Sequence, residues 1–180
     1  MANFRDKNAL IALIGLDGAH ISVKFSDSFR KTIETGVRGS ITEAFFTARL
    51  IEYLDTVAFL SIPGERLADE PGSPILSALF ETGEVNSVDS GCVYRFTLSL
   101  EQLVRPVRRD PGQDPIMAVT WLAVESGAVS AWDLPELAQK ALRSLADKFI
   151  ADLAYAENAD KKATFPPAAR TVQLGPKGVE

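Results

Sequence analysis

The side chains best suited to proton transfer and nucleophilic attack near neutral pH are histidine and cysteine, and the chain has one of each, His20 and Cys92. His20 stands three residues after Asp17, where a carboxylate can orient an imidazole as a general base. No GxSxG elbow or equivalent nucleophile motif accompanies the pair, so the expected reading is a histidine at a strand entrance without a catalytic role. Cys92 directly precedes a strand, and Arg95 just beyond it can supply the positive charge that activates a thiol. A thiolate nucleophile also needs a base, which this sequence offers only in His20, so a small buried core thiol is expected.

Arg105, Arg108 and Arg109 form a compact basic group, interrupted by Pro106 and followed by Asp110. Three arginines can grip a phosphate or an anionic headgroup. No aromatic residue interleaves with them, and 19 Lys+Arg against 24 Asp+Glu leaves a net charge of −5. That balance opposes nucleic-acid binding, whose affinity comes largely from cations that neutralise phosphates. The group reads as a solvated loop or a contact for a protein partner. Glu65, Asp69 and Glu70 lack the spacing of an EF-hand loop, and a single histidine cannot supply a His-rich metal cage. Neither GxGxxG nor GxxxxGK followed by Ser or Thr occurs, which removes the glycine-rich loops that cradle dinucleotides and nucleoside triphosphates. Trp121 and Trp132 read as core or sheet-edge aromatics. No catalytic residue, metal ligand or cofactor is expected.

The elements that position these residues follow from composition and period. At 180 residues, 46% apolar and 24% charged, the chain has the make-up of one soluble globular domain that needs no disulfide. Ala9 to Leu16 (ALIALIGL) follows Arg5 and Lys7 and imitates a signal peptide. The run is short and flanked by Asp6 and Asp17, so a strand or short helix is expected there. No run approaches the roughly 18 apolar residues of a membrane-spanning helix.

Ile21 to Phe25 alternates apolar and polar residues and reads as the first strand, with Ala9 to Ile14 as an extra edge piece. Ser26 to Gly39 is a polar stretch, after which Ser40 and Glu43 have capping-box spacing for a helix from about Ile41 to Asp55. Thr56 to Ile62 reads as a buried strand ended by Pro63-Gly64. Ile75 to Phe80 follows as a third strand, with a helical turn as the alternative. Cys92 to Val107 alternates strictly, with Tyr94, Phe96, Leu98, Leu100 and Gln102 pointing one way. Turn chemistry at Asp110-Pro111-Gly112 and Asp114-Pro115 joins it to Ile116 to Val124 as an antiparallel hairpin, ended or bulged at Gly127. Asp133 opens a final amphipathic helix, with Pro135 and Glu136 in its first turn. The domain is expected over residues 1–157, with a disordered tail over 158–180.

The fold class expected is α+β, two helices on a predominantly antiparallel four- to five-stranded sheet in the order β-α-β-β-β-β-α, with one parallel pairing allowed by the first crossover. The first helix has two apolar sides. Ile41, Ala44, Phe45, Ala48 and Ile51 share one, and Phe46, Leu50, Tyr53 and Leu54 share the other. Either the helix is covered on both sides, or the second side is an exposed stripe that docks a partner. Phe46, Leu50, Tyr53, Leu54, Arg105, Arg108 and Arg109 are therefore the candidate partner contacts.

The segments CVYRFTLSLEQLVRPVRRDP, AVTWLAVESGAV and LRSLADKFIADLAYAEN resemble a pattern of uncharacterised bacterial envelope proteins. There a long strand leads through a charged Asp-Pro loop to a Thr-Trp strand, and a terminal helix ends in a run approximated here by Asp147, Phe149, Asp152 and Asn158. The element order is similar to the amino-terminal domain of TolB-type periplasmic proteins and to small accessory lipoproteins of lipid transport. The resemblance implies a non-enzymatic accessory domain of an envelope transport or secretion assembly, which presents a surface to a protein partner or to further copies of itself. A small-molecule-binding module or enzyme, with its pocket between helix and sheet, is the alternative.

Overall fold

A computed structural model describes residues 7–36, 41–83, 91–104 and 114–162. Within them the chain runs α1 (Lys7–Ile11), β1 (Gly18–Phe25), α2 (Asp27–Gly36), α3 (Glu43–Asp55), β2 (Leu60–Ser61), a 3₁₀ turn (Gly64–Asp69), β3 (Ile75–Thr82), β4 (Gly91–Val104), β5 (Ile116–Ser130) and α4 (Leu134–Lys162). The strands form one mixed sheet in the order β2-β1-β3-β4-β5. β1 pairs in parallel with β2 and β3, whereas β3, β4 and β5 form an antiparallel meander. The fold is α+β with a five-stranded mixed sheet. Four α-helices among the described residues replace the two expected.

The strict alternation of β4 decides the layering. Phe96, Leu98 and Leu100 are fully buried, as are their neighbours Leu76, Ala78 and Phe80 on β3, and Ile21, Val23 and Phe25 on β1 are buried beside them. α2, α3 and α4 pack on this face. Phe25, Phe29, Phe46, Phe80 and Phe96 meet with ring centroids 4.8 to 5.8 Å apart. Phe149 of α4 bridges Phe59 and Trp121 in a second aromatic group. Such pairs add about 0.5–1.5 kcal/mol each beyond the area they bury. α1 fills the end of the helix layer beside α4 and β5, and Leu13 just after it is buried.

Several local expectations are corrected. Ala9 to Ile14 holds the end of a short helix and a turn, with no edge strand. The polar stretch after β1 contains α2, whose amino end is capped by Ser26 Oγ accepting the Phe29 N–H at 3.1 Å. Phe25, Phe29 and Ile33 recur at four-residue steps and are buried. α3 begins at Glu43, capped by Thr42, whose hydroxyl accepts the Phe45 N–H; Ser40 lies outside the described residues. Glu43 makes no capping box. Its carboxylate accepts the Phe25 N–H at 2.7 Å and the Arg30 guanidinium at 2.8 Å, which ties α2 and α3 to the end of β1.

Thr56 to Ile62 is not a buried strand. Phe59 N–H bonds the Leu54 carbonyl and Ala58 N–H bonds the Asp55 carbonyl, the paired hydrogen bonds of a Schellman stop. Ala58 takes the left-handed position at φ 57° that glycine usually occupies. What remains is the two-residue edge strand β2. It approaches β1 at Gly18, where a Cβ would stand 2.8 Å from the Leu60 carbonyl oxygen.

The β4–β5 hairpin pairs from Val104 with Ile116 to Gly91 with Ser130, with a bulge at Leu100/Glu101. Its connecting turn lies outside the described residues. Gly127 neither ends nor bulges β5. It sits opposite Tyr94, and an added Cβ would stand 2.9 Å from the Tyr94 hydroxyl, so the ring occupies the space left by the missing side chain. α4 passes the expected boundary at 157 and reaches Lys162.

Candidate interaction surface

The two residues with reactive chemistry lie apart. His20 pairs in register with Ile75 at one end of β3, and Tyr94 pairs with Thr82 at the other. Cys92 stands two residues beyond Tyr94, so strand geometry separates it from His20 by roughly 30 Å along the sheet. The two also project from opposite faces. Burial holds the Cys92 thiol above its ordinary pKa, which disfavours the reactive thiolate. The His20 Nδ1 lies 3.0 Å from the Ile62 carbonyl oxygen, and Gly64 packs against the ring. Asp17 instead uses its backbone carbonyl to accept the Leu60 N–H. His20 thereby fastens the segment after β2 to β1. No group of three or more metal-ligating side chains occurs among the described residues, and none of their helices is long and apolar enough to cross a membrane.

The stripe assigned to partner contact points inward. Phe46, Leu50 and Leu54 are 0%, 0% and 1% exposed, so a partner cannot touch them in the folded protein. Tyr53 is half-buried at the seam with α4, where the Arg143 guanidinium stands 6.0 Å from its ring centre. The outward side of α3 is the other one, with Ala44, Phe45 and Ala48 exposed and Ile41 and Ile51 half-buried. Arg49 lies over the Phe45 ring at 5.4 Å. Arg105, Arg108 and Arg109 lie outside the described residues; their segment links the end of β4 to the start of β5.

The open surface is on the far side of the sheet. With the described α-helices on one face, the alternate residues of the strands face away from them. On β5 these are Met117, Val119, Leu122 and Val124, all exposed, with Val119 at 56% and Leu122 at 53%. The bulge inserts one extra residue between Val119 and Leu122, and this keeps both on the same face despite their odd spacing. Leu103 pairs with Met117 and adds to the row, and Val93 lies exposed at the other end of β4. The segment after β2 covers the His20 end of this face.

Contiguous exposed apolar residues of this kind mark interaction sites in soluble proteins. The sequence signal for them was present, because Ile116 to Val124 is apolar at successive positions rather than alternating. A strand covered on one face alternates, whereas a strand meant to be covered on both does not.

β5 is also an edge. Among the described residues it has a strand neighbour only in β4, and its side chains from Ile116 to Ser130 include one charge, Glu125. Glu125 faces the helix layer, where its carboxylate accepts Ser144 Oγ at 2.5 Å and Lys148 Nζ at 3.0 Å. Trp121 is likewise held from that side, its indole N–H donating to Asp152 at 3.1 Å. Trp132 lies exposed in the turn before α4.

Fold and surface together define an α+β domain whose described α-helices lie on one face of its sheet. In comparisons with known proteins, no family model and no curated protein matches the chain.

Proposed function

We propose that the protein is a non-enzymatic accessory domain that binds a protein partner through the open face of its sheet at β4 and β5. The observation that supports this reading is the row Leu103, Met117, Val119, Leu122 and Val124, exposed on the face turned away from the described α-helices. Full burial of a large aliphatic side chain is worth about 1.5–3 kcal/mol, and at 40% to 56% exposure these residues forgo roughly half of that each. A partner that covers the row recovers much of that. We further propose, in line with the resemblance of the β4, β5 and α4 segments to bacterial envelope proteins, that the partner belongs to an envelope transport or secretion assembly. Arg105, Arg108 and Arg109 are proposed as further contacts at the end of the same two strands.

A photo-crosslinking amino acid at Leu122, with a second variant carrying it at Ala48 on α3 as control, tests the reading in the native host. Protein adducts at position 122 and none at position 48 are expected. Absence of adducts at 122 in folded, expressed protein overturns it.

A further inference from the structure

We propose that this face packs sheet against sheet on the same face of a second copy, strands antiparallel, so that Arg95 of each copy lies over Glu101 of the other. This rests on the reading of the β4–β5 face as an interaction surface and names what covers the row.

The order of the outward residues on β4 carries the inference. They are Val93, Arg95, Thr97, Ser99, Glu101 and Leu103, and their chemistry is symmetric about Leu98. The hydroxyls Thr97 and Ser99 stand one residue to either side of it. Three residues out are the opposite charges Arg95 and Glu101, and five residues out are the exposed aliphatics Val93 and Leu103. A twofold axis lying between two facing sheets and crossing the strands at Leu98 exchanges the members of each pair. Hydroxyl then meets hydroxyl, aliphatic meets aliphatic, and two opposite-charge contacts form about 20 Å apart. Arginine and glutamate side chains together span the roughly 10 Å between packed sheets. The roughly 30° angle between aligned sheets displaces the paired charges by only about 5 Å.

β5 obeys the same axis. Leu98 pairs in register with Ala123, so the axis passes between Leu122 and Val124 and sets each over the other in the opposite copy. Val119, beside Glu101, falls over Ser126, and Met117, beside Leu103, falls over Ala128. At every level the larger side chain faces a smaller one, which lets the two faces interdigitate. The other charges on the face also avoid their own kind. Glu81, beside Arg95 on β3, falls at the level of Ile75, and Lys24, beside Leu79, falls at the level of Ser22.

Charge order also selects the direction. Turned so that the strands run parallel, the same faces would set Arg95 over Arg95 and Glu101 over Glu101, and like charges brought together at an interface oppose it. From Val93 to Leu103 across β3, β4 and β5 the patch is about 36 Å by 15 Å, on the order of 600 Å² per copy, at the lower end of stable interfaces. The pair closes on itself, the commonest arrangement of soluble oligomers.

The test uses the full chain in sedimentation equilibrium, with circular dichroism to confirm folding. The parent is expected to dimerise. Arg95→Glu brings two carboxylates together at each end of the interface and Glu101→Arg brings two guanidiniums together, so each variant alone is expected to associate roughly tenfold more weakly or worse. An equal mixture of the two variants restores both opposite-charge contacts and is expected to give a heterodimer, a rescue that a folding defect cannot produce. Should either variant fail to fold, Leu122→Lys mixed with Val124→Glu repeats the test beside the axis.

A parent that is monomeric at all concentrations overturns the proposal, as does a dimer that both single variants leave intact or that mixing fails to restore. The crosslinker at Leu122 then separates the two readings. Adducts with a different protein leave the interaction surface standing without the second copy, and no adducts remove both.

Discussion

One substitution made twice on α3 tests the inside and outside of the fold. Leu50 and Ala48 are two residues apart, which turns them about 200° from each other around the helix. Leu50 is 0% exposed and Ala48 faces solvent. Leu50→Asp removes a fully buried side chain, and truncation to alanine alone costs about 2–5 kcal/mol. A carboxylate at that site adds several kcal/mol more at pH 7, because full burial raises its pKa by up to about 3–5 units. The total, about 6 kcal/mol or more, rivals the roughly 5–15 kcal/mol that holds a typical domain together. Because the folded-state pKa is raised, the damage is least below the unfolded value near 3.9 and grows as pH rises toward the folded value.

Ala48→Asp carries only a helix-propensity cost of up to about 0.7 kcal/mol and a like-charge contact with Glu52 one turn on, about 0.2–0.5 kcal/mol. About 1 kcal/mol lowers the Tm of a chain this size by about 2–4 °C. Far-UV circular dichroism during thermal and urea unfolding at pH 7 measures both. A folded Leu50→Asp protein with near-parental Tm, or an Ala48→Asp protein that does not fold, refutes the orientation of α3 and the layering built on it.

Two further substitutions probe the joints between elements. The Arg30 guanidinium beside Glu43 and the Phe25 N–H hold the Glu43 carboxyl below its ordinary pKa of 4.5. Its stabilising contribution is therefore present above about pH 4.5 and lost as pH falls through the lowered folded value. Glu43→Gln is expected to cost about 1 kcal/mol at neutral pH, discounted because the site is partly exposed, and to flatten the acid limb of the urea midpoint against pH. An unchanged acid limb counts against the latch. Ala58→Gly relieves about 1–2 kcal/mol of left-handed strain and gives back part of it as unfolded-chain entropy. A net gain of about 0.5–1 kcal/mol is expected in the urea midpoint, and a loss contradicts the Schellman stop.

Local pattern alone determined β1, β4 and the start of α4, because each has one apolar face at one clear period, and β5 was legible as a continuous apolar run. In β4 the residues from Tyr94 to Gln102 alternate so regularly that the inward face is readable without the sheet. α2 was harder to read, since only Phe29 and Ile33 of its residues supply buried apolar packing and its polar majority resembles a loop. The end of α3 was hidden because Ala58 stands where glycine usually signals a stop. Neither His20 nor Cys92 revealed from sequence how far apart they lie, a distance set by the register of β1, β3 and β4.

Tertiary structure alone decided which side of α3 faces inward. Ile41, Phe45 and Ile51 on one side and Phe46, Leu50 and Leu54 on the other are nearly equal in hydrophobicity, so the period has no preferred direction. Packing broke the tie, because Phe46 fits among Phe25 and Phe80 while Phe45 lies out under Arg49. The same holds for the open face. An apolar run such as Ile116 to Val124 is written alike for a strand covered by its own helices and for one covered by another molecule. Only the placement of the described α-helices on one side of the sheet left Val119, Leu122 and Val124 exposed.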